Sequence, residues 1–204
     1  MVKTVIKDIE LIFETAAGLF SPKEVDRGTL ALLSVINFDE TDKVCDLGCG
    51  YGVVGIVAAK AVGSENVLMI DHDELAVALA RKNVVLNAVD QVEVVLSDGF
   101  SSVYETGFSK IISHPPYHAD FSVPKHFIEK GFNRLKIEGA LYMVTKRRTW
   151  YENKLKAIFG KVAVFEIDGY YVFKAVKTNV HYANAVKKEK IKTPPKAKRR
   201  RNKF

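Results

Sequence analysis

The chain has 204 residues, is 48% hydrophobic and carries a formal net charge of +7. A chain of this length buries a substantial core without disulfides or structural metals, and its two cysteines, Cys45 and Cys49, are too few for a disulfide framework and form a poor zinc motif. Residues 1–12 lack the apolar core of a signal peptide, and no apolar run approaches the length of a membrane span. We therefore expect a soluble, cytoplasmic protein with no membrane partner.

The positive charge is concentrated in a carboxy-terminal tail. Residues 186–204 contain ten Lys or Arg residues and one acid, a charge of +9, which leaves −2 for the other 185 residues. Because the tail has few apolar residues, we expect it to be disordered when free and to bind nucleic-acid phosphates without reading sequence. The alternative is a solvated tail that aids solubility or contacts ribosomes nonspecifically.

Hydrophobic periodicity predicts alternating strands and helices. Residues 3–15 partly alternate, as in a half-buried strand or hairpin, and residues 29–36 fit a buried helix. The next predicted strands are 43–47, 66–71, 92–96, 109–113 and 140–145, and the predicted helices are 53–62, 74–86, 123–135 and 150–159. The helix at 74–86 is expected to carry Leu75, Ala78, Leu79 and Leu86 on one apolar face.

The order of these elements predicts an α/β fold with a mainly parallel sheet and helices on both of its faces. The chain then closes differently from the common dinucleotide-binding fold. Residues 162–167 and 170–176 are two strands joined by Asp168-Gly169, a strong hairpin signal. Because a two-residue turn makes its strands antiparallel, the sheet is expected to include an antiparallel strand.

A glycine-rich loop lies between the strand at 43–47 and the helix at 53–62. Gly48, Gly50 and Gly52 allow the backbone to turn sharply and a ligand to approach its amides. Asp71 ends the next strand, where a carboxylate can accept hydrogen bonds from both hydroxyls of a ribose, and Asp98 follows the third strand at the same edge of the sheet. These features predict a ligand that contains a nucleoside.

The glycines alone do not identify this ligand. Residues 50–55 also satisfy the dinucleotide pattern G-x-G-x-x-G, and a purely structural turn remains an alternative. Asp46 precedes the glycines, where it can meet an ammonium group, whereas a pyrophosphate would gain nothing from that carboxylate. Asp98 can accept a hydrogen bond from an adenine amino group. Together with the terminal hairpin, these points favour S-adenosylmethionine over NAD.

Three segments resemble a known family. Residues 46–52 (Asp-Leu-Gly-Cys-Gly-Tyr-Gly) resemble motif I of class I methyltransferases. Residues 18–21 with 26–29 resemble the segment that precedes motif I in the small-domain (MTS) methyltransferases, typified by bacterial rRNA guanine-N2 methyltransferases. Residues 114–118 (His-Pro-Pro-Tyr-His) lie where that family carries Asn-Pro-Pro-Phe/Tyr-His. The resemblance spans about residues 5–177 and implies a Rossmann-like seven-stranded sheet of order 3-2-1-4-5-7-6 with strand 7 antiparallel.

The resemblance also implies the site residues. In the family, the Asn side-chain oxygen and the adjacent Pro carbonyl hold the acceptor amine, and the aromatic residue stacks on the base. The catalytic residues carried over are His114, Pro115, Pro116 and Tyr117. The cofactor-binding residues are Phe20, Thr29, Asp46, Gly48, Gly50, Gly52, Asp71, His72, Asp98, Gly99 and His114.

The main departure from the family pattern is His114 in place of Asn. A neutral imidazole has one acceptor nitrogen and can receive one amine hydrogen, whereas at an ordinary pKa near ~6.5 it could act as a base or titrate. Altered but active chemistry, a shifted substrate and a binding-only protein remain open. A metal site at His114, His118 and Asp120 is not favoured, because an i,i+4 pair shares a face on a helix but not on a proline-rich loop.

The expected function is methylation of an exocyclic base amine, with guanine N2 of rRNA as the target and a ribosomal particle as a possible partner. A target base in a duplex would have to be flipped out. The alternatives are an adenine-N6 or protein-glutamine methyltransferase, a catalytically inactive RNA-binding module and, less favoured, a nicotinamide-dependent oxidoreductase. Lys146, Arg147 and Arg148 either contact RNA phosphates or form a solvated turn. The expected organisation is an amino-terminal hairpin and helix (1–40) packed on a core (41–180), followed by the tail (186–204).

Overall fold

The strands and helices alternate along much of the chain, as the periodicity predicts. The structure, a computed structural model, describes residues 1–19, 21–115 and 120–182. The predictions for Phe20, Pro116, Tyr117, His118 and the basic tail lie outside the described residues. The strands are β1 Val2–Ile6, β2 Ile9–Phe13, β3 Val44–Leu47, β4 Val67–Asp71, β5 Glu93–Leu96, β6 Phe108–Ser113, β7 Leu135–Thr145, β8 Ala163–Ile167 and β9 Tyr170–Val176. The helices are α1 Arg27–Val35, α2 Val53–Val62, α3 Glu74–Leu86, α4 Ser122–Arg134 and α5 Arg148–Phe159.

Seven of the strands form one sheet in the order β5-β4-β3-β6-β7-β9-β8. The strands from β5 to β7 are parallel, and β9 lies antiparallel between β7 and β8. Counted within the sheet, this is the order 3-2-1-4-5-7-6, so the predicted fold is confirmed. The turn between β8 and β9 has positive φ at both central residues, 50° at Asp168 and 77° at Gly169, which a tight two-residue hairpin requires.

Helices cover both faces of the sheet. One apolar cluster contains residues of α1, α2 and α3, and a second contains residues of α4 and α5. The parallel strands β3 and β4 are buried at every residue, as expected for strands covered on both sides. None of the helices in the described part of the chain combines the length and the apolar character that crossing a bilayer requires.

The predicted apolar face of α3 is wrong in three of its four residues. Leu79 is buried, but Leu75 and Leu86 are each 45% exposed and Ala78 is exposed. The buried face instead includes Asn83, which is fully buried. A buried polar side chain needs hydrogen-bond partners, and these come from distant parts of the chain that periodicity cannot show.

Those partners join the amino-terminal hairpin to α3. The Asn83 side chain accepts a hydrogen bond from the Glu14 amide (2.7 Å) and donates to the carbonyls of Glu14 (2.9 Å) and Tyr51 (2.8 Å). One turn later, Asn87 accepts from the Ile12 amide (3.1 Å) and donates to the Ile12 carbonyl (2.7 Å). Two asparagines thus pair with the end of the hairpin as a neighbouring strand would, and one of them also holds the glycine loop.

Candidate functional site

A cavity of about 600 Å³ opens at the carboxyl edge of the parallel strands. This is where ligands bind in open α/β sheets, and the volume suits a small-molecule ligand. Ten of the predicted site residues line it: Thr29, Asp46, Gly48, Gly50, Asp71, His72, Asp98, Gly99, His114 and Pro115. The apolar part of the wall includes Val123 and Phe127 of α4, two apolar residues of a predicted helix that carry no sequence signal of a ligand site.

The glycine loop is held by β4. The amides of Gly48 and Cys49 both donate to the carbonyl of Ile70, at 2.8 and 2.9 Å, and the Gly50 amide donates to a carboxylate oxygen of Asp71 at 2.8 Å. Gly48 and Gly50 have φ values of 78° and 55°, in the left-handed region that favours glycine. The loop therefore turns at the cavity wall, where Gly48 and Gly50 add no side chain between the backbone and a ligand.

Gly52 serves the loop differently from the other two glycines. It does not line the cavity but is the N-cap of α2, with φ 101°. A Cβ at this position would lie 2.7 Å from Cε of Met69, closer than such atoms approach. Gly52 therefore allows α2 to begin directly against β4.

Asp46 is a buried carboxyl (2% exposed) at the floor of the cavity. Its Oδ2 accepts a hydrogen bond of 2.8 Å from the amide of Gly55, in the first turn of α2. Gly52 has no side chain with which to cap that helix, so the carboxyl of β3 satisfies one of its free amides. Burial raises the pKa of Asp46 to about 7; the Gly55 hydrogen bond opposes this rise, and the charge of Asp71 adds to it. A cation beside Asp46 would favour its ionised form.

The other two carboxyls lie further along the same edge. Asp71 is buried, with Oδ2 on the Gly50 amide and Oδ1 accepting from the Asp73 amide at 3.0 Å. His72 Nδ1 lies 3.4 Å from Asp71 Oδ1 with an exposed ring. Asp98 is exposed at the rim of the cavity, where its carbonyl accepts hydrogen bonds from the amide and hydroxyl of Ser101. The structure thus brings together the three predicted carboxyls.

His114 follows β6 and is held by the start of α1. Its Nδ1 lies 2.9 Å from Thr29 Oγ1 and 3.7 Å from Asp26 Oδ1, and its side chain is 7% exposed. Burial lowers the pKa of His114 to about 4, against the opposing charge of Asp26. The ring is therefore neutral near pH 7, unlike a histidine that titrates at an ordinary pKa near ~6.5.

Two residues near the His114 ring, Asp26 and Tyr170, were not among the predicted site residues. Asp26 is the N-cap of α1, and its Oδ1 accepts from the amides of Gly28 (2.7 Å) and Thr29 (3.3 Å). Tyr170, at the start of β9, donates from its hydroxyl to Asp26 Oδ2 at 3.5 Å and meets the His114 ring edge-to-face, with centroids 6.5 Å apart. A Cβ on Gly28 would lie 2.6 Å from Cε1 of Tyr170, so glycine permits this approach.

Two further predictions concern the surroundings of the cavity. Lys146, Arg147 and Arg148 are exposed and follow β7 at the same edge of the sheet. Within residues 1–19, 21–115 and 120–182, no group of three or more His, Cys, Asp or Glu side chains is placed to hold a metal ion.

The sequence of the chain is similar to those of known proteins. A family model described as the methyltransferase small domain matches residues 10–174. The uncharacterized protein YbxB of Bacillus subtilis is 33% identical over 178 residues, which cover 84% of this chain and 89% of that protein. Ribosomal RNA large subunit methyltransferase G of Yersinia enterocolitica is 29% identical over 181 residues, which cover 85% of this chain and 46% of that protein.

The chain is also similar to a solved structure that contains bound ligands. The T. thermophilus 16S rRNA N2 G methyltransferase RsmC, in complex with AdoMet and guanosine, matches with a TM-score of 0.77 and 26% identity. The match covers 86% of this chain and 49% of that chain. The chain thus spans about half the length of both rRNA methyltransferases.

Proposed function

The chain belongs to the methyltransferase small domain family, whose methyl donor is S-adenosylmethionine, and we propose that it methylates an exocyclic amine of an RNA base, with guanine N2 of rRNA as the target. The observation that carries the proposal is the carboxyl-lined cavity with His114 at its wall, on a fold that superimposes on an enzyme bound to AdoMet and guanosine. A target in rRNA implies a cytoplasmic protein.

The residues of the cavity fit this cofactor. When bound, S-adenosylmethionine supplies an electrophilic methyl group on a sulfonium. We expect Asp46 to pair with its ammonium, Asp71 to accept hydrogen bonds from the ribose hydroxyls, and Asp98 to accept one from the adenine amino group, since all three carboxyls line the cavity. Gly48 and Gly50 leave the loop backbone open to close approach.

The acceptor side of the cavity is formed by His114 and Pro115. The lone pair of an exocyclic amine is delocalised into the base, so acceptors that hold its two hydrogens orient that lone pair towards the methyl group. The carbonyl of Pro115 serves as one acceptor. The neutral ring of His114 supplies the second, in place of the family Asn oxygen. Pro116 and Tyr117, outside the described residues, keep their proposed roles in rigidity and base stacking.

Thr29 and Asp26 support the tautomer that this role requires. A neutral imidazole carries one N–H, and Nδ1 lies within hydrogen-bond distance of the Thr29 hydroxyl with a carboxylate 3.7 Å away. A proton on Nδ1 donates to Thr29 and faces negative charge, whereas a lone pair there would face the same charge unfavourably. Nε2 is then the acceptor nitrogen. His114 holds the amine without removing its proton, which leaves to solvent after transfer.

The proposed function also involves the amino-terminal region and the basic tail. We propose that residues 1–40 pack on a methyltransferase core of residues 41–180, and that the basic tail of residues 186–204 adds affinity for RNA phosphates without reading sequence. Because the chain is similar to two rRNA methyltransferases, we propose that its partner is rRNA presented in a ribosomal particle.

The proposal is tested with purified full-length protein. Calorimetry should show binding of S-adenosylmethionine and none of NAD; the reverse would contradict the cofactor assignment. Tritiated methyl groups should then pass to the rRNA fraction, and not to tRNA, DNA or protein fractions, with N2-methylguanosine found after digestion. Labelled N6-methyladenosine or methylglutamine would identify the alternative enzymes, and cofactor binding without transfer to any fraction would identify an inactive module.

The role of His114 is tested separately. His114→Asn restores the family residue and should keep or raise the rate of methyl transfer. Thr29→Val removes the hydroxyl beside Nδ1 and should lower kcat more than it changes S-adenosylmethionine affinity. Complete loss of activity in His114→Asn would show that the histidine has a role that Asn cannot supply.

A further inference from the structure

Three consecutive cations lie beside the acceptor side of the cavity. Lys146, Arg147 and Arg148 follow β7, and all three are exposed. We propose that Lys146 and Arg147, together with the ring of Phe121, form the surface that binds the phosphodiester backbone of the RNA strand next to the target base. The assignment of this basic–aromatic surface rests on the proposed function and states where the RNA substrate of that function is held.

Ring contacts connect this surface to the site. Lys146 Nζ lies 4.8 Å from the centroid of the Tyr170 ring, which meets the His114 ring. The guanidinium carbon of Arg147 lies 5.2 Å from the centroid of Phe121, the residue before α4, and α4 forms part of the cavity wall. The two cations therefore flank the acceptor side, within reach of phosphates that adjoin a base held there.

The aromatic neighbours orient these cations. Phe121 stacks on Trp150 with ring centroids 4.4 Å apart and planes 21° apart, and both rings are half-buried. The Arg147 amide donates to Thr145 Oγ1 at 3.1 Å, which fixes the turn after β7. A cation held over an aromatic face loses less side-chain entropy when it binds an anion than a freely rotating one does.

The charges around the surface single out Arg147. Arg148 Nε forms an ion pair with Glu152 Oε2 at 3.0 Å, and Lys156 Nζ pairs with the other carboxylate oxygen of Glu152 at 2.6 Å. Arg147, by contrast, forms no ion pair with any residue that the structure describes. Its charge is therefore available to a phosphate, whereas that of Arg148 is partly neutralised.

The position of the cations at the amino end of α5 is electrostatically unfavourable. Lys146 and Arg147 directly precede that helix and Arg148 begins it, at the end where the helix dipole disfavours positive charge. No acidic residue in the first turn offsets them. Residues 1–185 have a net charge near neutral, so this concentration of positive charge stands out from the body of the protein. A bound phosphate would relieve the repulsion and gain from the helix amides as well.

The test compares full-length variants that all retain the basic tail. Lys146→Ala and Arg147→Ala remove one cation each, and Lys60→Ala, at an exposed site near the end of α2 and the opposite edge of the sheet, is the matched control. The probe is a short fluorescein-labelled single-stranded RNA, with affinity measured by anisotropy over a range of KCl concentrations. Calorimetry with S-adenosylmethionine checks the cofactor site in each variant.

Each surface variant should bind the RNA roughly fivefold more weakly at low salt, and its log–log salt slope should fall by about 0.7 to 1. Arg148→Ala should weaken binding less. KM for RNA should rise with kcat retained, and S-adenosylmethionine affinity should not change. Lys60→Ala should bind RNA as the wild type does.

Several results would contradict the assignment of this surface to RNA binding. Wild-type RNA affinity in Lys146→Ala and Arg147→Ala, with methyl transfer intact, would show that the surface does not bind RNA, while the proposed function would still hold. An equal loss in Lys60→Ala would reduce the effect to overall charge, and equal competition by polyglutamate would assign the surface to an acidic protein instead. If the wild type neither binds nor methylates RNA, both proposals fail.

Discussion

The buried carboxyl of Asp46 should make cofactor affinity depend on pH. Burial raises its pKa from 3.8 to about 7, so a large fraction of the unliganded protein is protonated at this site below neutrality. An ammonium that binds beside the ionised form then competes with the proton. For a pKa of 7, the dissociation constant for S-adenosylmethionine should rise about 50-fold from pH 7 to pH 5, and binding at pH 6 should release about 0.9 proton.

The assay is calorimetry at pH 5, 6 and 7 in two buffers of different ionisation enthalpy. Asp46→Asn keeps an oxygen that can accept from the Gly55 amide but cannot ionise, so its affinity should be weak and nearly independent of pH. Asp90→Asn, at an exposed position outside the cavity, should behave as the wild type does. Wild-type affinity that is unchanged between pH 5 and pH 7, or an equal pH dependence in Asp46→Asn, would refute the pairing of Asp46 with the ammonium.

Stability measurements test three further features. Asp46 has a raised pKa, so its contribution to stability is present below about pH 4 and is lost as pH rises through about 7. His114 has a lowered pKa, so its contribution is present above about pH 6.5 and is lost as pH falls through about 4. Relative to the wild type, urea unfolding should therefore show Asp46→Asn gaining stability and His114→Asn losing it as pH rises from 4 to 7; parallel curves would contradict the burial of these groups. Gly52→Ala should lower the free energy of unfolding by about 1–3 kcal/mol and weaken cofactor binding. Its control is Gly107→Ala: Gly107 has φ 82°, but an added Cβ would meet open space, so this variant measures the backbone strain alone. Asn83→Ala should lower the free energy of unfolding by about 2–4 kcal/mol, seen as a lower Tm, because it leaves buried backbone groups of the hairpin without partners; an unchanged Tm would show that the hairpin is held by its apolar contacts.

Local signals in the sequence were sufficient for the element order. The bounds of α2 and α3 match those predicted from periodicity and turn residues, and the Asp168-Gly169 turn predicted the antiparallel β8–β9 pair. These features depend on neighbouring residues, since helix faces, strand alternation and tight turns are set within a few positions. The start of β7 at Leu135, five residues before the predicted start, depends on the pairing of Leu135 with Phe108 of β6.

The convergence of Asp46, Asp71 and Asp98 also followed from the sequence, because the carboxyl ends of adjacent parallel strands meet at one edge of the sheet. The chemical state of the site did not. Thr29 and His114 lie 85 positions apart in the chain, and only the packing of α1 against β7 and β9 of the sheet places the hydroxyl 2.9 Å from the ring.

The sequence by itself therefore determined the element order and the residue types at the glycine loop, where local backbone preference and strand direction decide the outcome. The tertiary structure alone decided which groups lose water. It lowered the pKa of His114, raised that of Asp46 and turned Asn83 inward, because burial and distant partners, not neighbours in the chain, set the free energy of a charge or a polar side chain. The glycine loop could be recognised from the sequence, whereas the neutral histidine opposite it required the folded chain.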